Sequence, residues 1–106
     1  MATVVALVTD LMLASRVEGS LRAAGHAVTV KAVPDAETAA ADAIVADLEA
    51  VDPEAVVAIG PPTLGFYSHV DVETRRRAEE AGFDVVVPRS RMARELPALL
   101  ERLLAG

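Results

Sequence analysis

The sequence contains no cysteine and no tryptophan, only three other aromatic side chains (Phe66, Tyr67 and Phe83), and two histidines. Without cysteine there is no disulfide framework, no thiol nucleophile and no thiolate metal site, and cysteine usage gives no indication of redox compartment. His26 and His69 have no second ligand at metal-binding spacing, which makes them surface or edge histidines. Basic residues are also scarce. Ten Lys and Arg stand against sixteen Asp and Glu, for a net charge of −6. That balance argues against a free-standing nucleic-acid binder, which needs a basic face to neutralise phosphates. No apolar run approaches the roughly 20 residues that span a bilayer. The opening MATVVALVTD is apolar, but it lacks a basic leader and meets an acid at Asp10. It reads as the first strand of a cytoplasmic protein. No glycine-rich loop follows it, where VTDLMLAS stands, which argues against nucleotide binding of the Rossmann or P-loop kind. Long repeats and low-complexity tracts are absent too.

What the sequence does have is small aliphatic residues. With 53% apolar residues in 106, mostly Ala, Val and Leu, it has enough material for one core, and residues 1–106 read as one domain. Thr3 to Val8 is a continuous apolar and β-branched run, as expected for a strand buried on both faces. Ala14, Val17, Leu21 and Ala24 recur at helical spacing before Gly25, placing the first helix over Leu11 to Ala24. A short second strand spans Ala27 to Ala32, and Asp35 caps a brief helix over Ala36 to Ala41. The third strand runs from Asp42 to Leu48.

Between Val51 and Ser68 two readings compete, since AVVAIG could itself be a strand. Asp52, Pro53 and Gly60 favour a short helix from Pro53 to Ile59, with the fourth strand at Thr63 to Tyr67. Asp71 can cap a helix over Val72 to Ala81, in which Glu73 and Arg77, Arg75 and Glu79, and Arg76 and Glu80 are spaced to pair. Phe83 to Val87 forms the fifth strand. The last helix covers Arg91 to Leu104, with Ser90 as N-cap and Pro97 as a kink or a restart. This (βα)5 alternation specifies a parallel five-stranded sheet between two helical layers, a flavodoxin-like α/β fold of order 2-1-3-4-5, with its site at the carboxyl ends of the strands.

Those ends carry Asp10, Asp47, Ser68 with His69, and Arg89. Two carboxylates brought together suit a cation held by oxygen ligands, and a hydroxyl and a guanidinium opposite them suit a phosphoryl group. Each also has a structural reading. Asp10 and Asp47 can cap backbone amides, Ser68 can be a turn residue, and Arg89 can form an ion pair with Asp47 that holds the domain in one state. Phe66 and Tyr67 read as packing residues.

In the order and spacing of these residues the chain resembles, over nearly its whole length, the CheY-like receiver domains of two-component response regulators. The resemblance implies a phosphoacceptor at Asp47, Mg²⁺ held by Asp10 and Asp47, and phosphate contacts from Ser68 and Arg89. Several features depart from the family pattern. One acid follows the first strand where the family has two or three, so Mg²⁺ binding should be weak. Pro88-Arg89 replaces a Lys-Pro pair, and the two cations are not equivalent. His69 occupies a position usually held by a small residue and could cover Asp47. The segment after Asp47 is about nine residues short of the family's length.

The resemblance therefore implies a non-enzymatic pseudo-receiver: a stand-alone signalling module whose output is a protein partner, engaged through the fourth and fifth helices, a face that also offers a homodimer contact. Two alternatives remain open. One is a working receiver in a phosphorelay, phosphorylated on Asp47 by a histidine kinase. The other is a small ligand-binding protein or enzyme on the same fold.

Overall fold

The computed structural model describes residues 1–68 and 72–106. Five strands alternate with five helices: β1 (Thr3–Leu7), α1 (Leu11–Ala23), β2 (Ala27–Lys31), α2 (Ala36–Ala39), β3 (Ala43–Asp47), α3 (Pro53–Val57), β4 (Thr63–Tyr67), α4 (Val72–Ala81), β5 (Val85–Pro88) and α5 (Arg89–Ala105). All strand pairs are parallel, in the order β2-β1-β3-β4-β5. This is the expected flavodoxin-like topology.

Because successive strand side chains point to opposite faces, each strand feeds two cores. Val4, Ala6, Val45, Leu64 and Phe66 meet Val17 and Leu21 of α1 and Leu96 and Leu100 of α5 on one side. Val5, Leu7, Ile44, Ala46 and Tyr67 meet Val56, Ala78 and Phe83 on the other. Phe66 and Tyr67 are therefore both core residues, one in each layer. Gly25 and Gly82 follow α1 and α4 with φ of 93° and 107°, a left-handed conformation that favours glycine and lets the chain turn back into the sheet.

The structure departs from several local expectations. α5 begins at Arg89 with Pro88 as its N-cap, so Ser90 lies inside the helix. Pro88 already has the fixed φ and extended backbone that suit a residue entering a helix. The helix does not restart at Pro97, which lies within a continuous α5 whose apolar stripe of Met92, Leu96, Leu99, Leu100 and Leu103 is anchored on the sheet. On α4, Arg75 pairs with Glu79 as expected, at 3.6 Å, but Arg76 pairs with Glu73. Arg77 reaches across to Asp52 at 2.9 Å and Glu54 at 2.7 Å, tying α4 to α3. Asp52 makes no side-chain cap bond, and its carboxylate is used in that bridge. Asp71 and His69, assigned a cap and a covering role from sequence, lie outside the described residues.

His26 is buried rather than at the surface, and its Nδ1 accepts the backbone N–H of Ala2 at 3.0 Å. The same use recurs along the amino edge of the sheet. Asp42 accepts from the Thr3 N–H at 2.8 Å, and Asp84 from the Thr63 N–H at 2.9 Å. Polar side chains at this edge satisfy strand amides that the ladder leaves unpaired. Their role is structural.

Candidate functional site

The carboxyl edge differs in that a side-chain pair, Ser68 with Glu49, forms there beside acids that bond backbone amides. Asp47 is the last residue of β3 and is half-buried. It is flanked in the sheet by Phe66 of β4. Its Oδ1 accepts the Glu49 N–H at 3.0 Å, and its carbonyl accepts the Ala50 N–H at 2.9 Å, so the chain turns sharply immediately after the acid. Burial pushes the Asp47 carboxyl above its ordinary value. The Glu49 N–H opposes that shift, the Glu49 carboxylate adds to it, Arg89 opposes it and Asp10 adds to it. Asp10 and Arg89 thus lie within electrostatic reach of Asp47.

Asp10 sits three residues beyond the end of β1 and is the N-cap of α1, its Oδ1 accepting the Leu13 N–H at 2.9 Å. Arg89 is exposed at the first position of α5. Among the described residues no ion pair joins Arg89 to Asp47, although the two carry opposite charge in the same neighbourhood.

Ser68 follows β4 and is engaged by a residue that the sequence reading passed over. Both its hydroxyl and its backbone N–H donate to Oε1 of Glu49, the latter at 3.1 Å. The signal for Glu49 was local: two residues past an Asp at a strand end is where an Asx turn places the next side chain beside the neighbouring strand. Arg16 was also passed over. It lines a cleft with Asp10, Met12, Leu13, Arg89 and Ala93. The four sequence-predicted positions therefore gather at one end of the sheet, with Ser68 bonded to Glu49 and Asp10 bonded to its own helix.

The resemblance to receiver domains implies Mg²⁺. Among the described residues no group of three metal-ligating side chains converges. Asp47 and Asp10 are carboxylates at this edge, as is Glu49, and one oxygen each of Asp47 and Asp10 already accepts a backbone N–H. Mg²⁺ accepts one or two carboxylates when water completes its octahedron, so the donor set fits it in a minimal way.

No protein-family model and no curated protein matches the sequence. Solved structures do match. A putative response regulator from Chloroflexus aurantiacus superposes with a TM-score of 0.80 at 21% identity, covering 99% of this chain and 98% of that one. The non-phosphorylated HemR receiver domain from Leptospira biflexa gives 0.80 at 19% identity, over 100% and 96% of the two chains. NtrX from Brucella abortus gives 0.83 at 19% identity over 98% of this chain, which spans only 27% of the NtrX chain. With the sheet order, the two helical layers and the polar carboxyl edge in place, this chain has the fold of the response-regulator receiver domains.

Proposed function

We propose that residues 1–106 form one receiver-like signalling domain that acts by binding a protein partner and accepts phosphate on Asp47 slowly or not at all. One observation carries this reading: the Ser68 hydroxyl, which would have to meet a phosphoryl group on Asp47, is bonded to the Glu49 carboxylate. A phosphoryl group placed there would bring its negative charge against Glu49 as well as Asp47. Like charges in one site oppose each other unless cations offset them. The cations that would offset it are Arg89, with no carboxylate bound among the described residues, and a Mg²⁺ that Asp10 and Asp47 would hold together with water.

The chemistry Mg²⁺ would supply is charge neutralisation at the transferring group. The protein's own residues orient the acceptor. The Glu49 N–H fixes one Asp47 oxygen, and the turn at Ala50 fixes the backbone behind it. The domain is read as a binding module rather than an enzyme, and as cytoplasmic. No helix among the described residues is long and apolar enough to cross a membrane.

A Mg²⁺ titration followed by NMR tests this reading. Chemical-shift changes at Asp47 and Asp10 that fail to saturate in the millimolar range are the expected result. Saturable low-millimolar binding would transfer the assignment to a working receiver, phosphorylated by a histidine kinase.

A further inference from the structure

We propose that the cleft between α1 and α5 is a binding site for a small organic anion, with Arg16 and Arg89 as its recognition residues. The chain has ten basic side chains. Among the described residues Arg22, Lys31, Arg75, Arg76, Arg77, Arg91 and Arg94 are all ion-paired with carboxylates. Arg16, Arg89 and Arg102 are not. In a protein of net charge −6, unpaired guanidiniums are the exception, yet two of these three line one cleft.

The cleft has a volume of about 240 Å³ and an apolar floor of Leu13 and Ala93. Asp10 also lines it, with one oxygen turned to the Leu13 N–H, so two guanidiniums face one carboxylate already engaged with its helix. Arg presents a planar fork that binds phosphate or carboxylate through two parallel hydrogen bonds. The first turn of the 17-residue α5 opens beside Arg89 with no side-chain cap, adding unsatisfied N–H groups of the same polarity.

The volume is below the roughly 300–1,000 Å³ of ordinary ligand pockets, which limits the occupant to one anionic head and a short apolar group. A phosphate monoester with a small hydrophobic substituent has that chemistry. Met12, 83% exposed at the rim, supplies apolar surface for the substituent. This site requires neither phosphorylation of Asp47 nor Mg²⁺, so it stands or falls separately from the receiver reading.

The test is a titration of the whole chain, free of divalent cations, with phenyl phosphate, inorganic phosphate and phenol, read from the side-chain N–H signals of Arg16 and Arg89 in ¹H–¹⁵N NMR spectra. Saturable shifts with phenyl phosphate in the millimolar range are expected, weaker ones with inorganic phosphate and none with phenol. Arg16→Ala and Arg89→Ala should each weaken binding about tenfold, as loss of a charge-assisted contact does. Both side chains are exposed and unpaired among the described residues, so neither change should threaten the fold. Arg102→Ala should leave binding intact. Equal binding of inorganic phosphate would retain the anion site and point to free phosphate as the ligand. Absence of saturable shifts, shifts with phenol alone, or equal weakening by Arg102→Ala would overturn the proposal.

Discussion

The carboxylate of Glu49 accepts both the hydroxyl and the backbone N–H of Ser68, so the residue two past Asp47 holds the polar end of β4. A charge-assisted pair of this kind is stronger than a neutral hydrogen bond. It also keeps a second negative charge beside the acceptor.

Removing that carboxylate should release Ser68. In Glu49→Ala, the initial rate of phosphate incorporation from acetyl phosphate with Mg²⁺ is expected to rise on the order of tenfold over the unaltered protein, as expected for removal of one charged hydrogen bond. Intact-mass spectrometry over time reads the rate. An unchanged rate would mean that the Glu49–Ser68 contact does not restrain the site.

Asp47 should make stability depend on pH. Burial raises its carboxyl above the ordinary aspartate value, so the folded chain holds that proton more tightly than the unfolded one. The protonated form thus favours folding in acid, and this contribution is lost as pH rises through the folded-state value. At neutral pH the ionised group destabilises the fold. Asp47→Asn, whose amide oxygen can still accept the Glu49 N–H, is expected to melt higher than the unaltered protein at pH 7, with the difference closing in acid. A lower melting temperature at neutral pH would contradict the assignment.

Gly65 sits in the middle of β4, where a Cβ would lie 2.8 Å from Cδ2 and 2.9 Å from Cγ of Leu48. Leu48 is buried immediately after Asp47. Gly65→Ala is expected to cost about 1–3 kcal/mol by overpacking, measured by urea denaturation. Adding Leu48→Ala should then cost less than it does alone, because the clash disappears with the larger side chain. Additive costs would show that Leu48 moves aside without strain.

Pro97 is half-buried inside α5, where it supplies no N–H to the preceding turn. Pro97→Ala is expected to stabilise the domain by about 1–3 kcal/mol, within the known cost of an interior helical proline. Chemical denaturation reads the difference, and a loss of stability would mean that the helix is built around the proline ring.

Most of the fold was legible because its signals are local. Apolar strands such as TVVAL and AIVAD, Gly25 and Gly82 after their helices, and the Asp52-Pro53 start of α3 each fix an element without reference to the rest. The positions of Asp10, Asp47, Ser68 and Arg89 followed from topology, since parallel strands deliver their carboxyl ends to one edge. What the sequence did not disclose were the choices between partners. Arg77 could pair along its own helix or across to α3, and the structure takes the second. Ser68 was available to a phosphoryl group and is bonded to Glu49, a contact spanning 19 residues. The burial and role of His26 were hidden because nothing nearby in sequence shows that the Ala2 N–H, 24 residues away, needs an acceptor.

The most direct test of the incomplete phosphoacceptor is intact-mass analysis of the unaltered chain after incubation with acetyl phosphate and Mg²⁺, with Asp47→Asn in parallel. Little or no added phosphoryl mass in either protein is the predicted result. Stoichiometric addition of one base-labile phosphoryl group, abolished by Asp47→Asn, would contradict it and make this chain a working receiver.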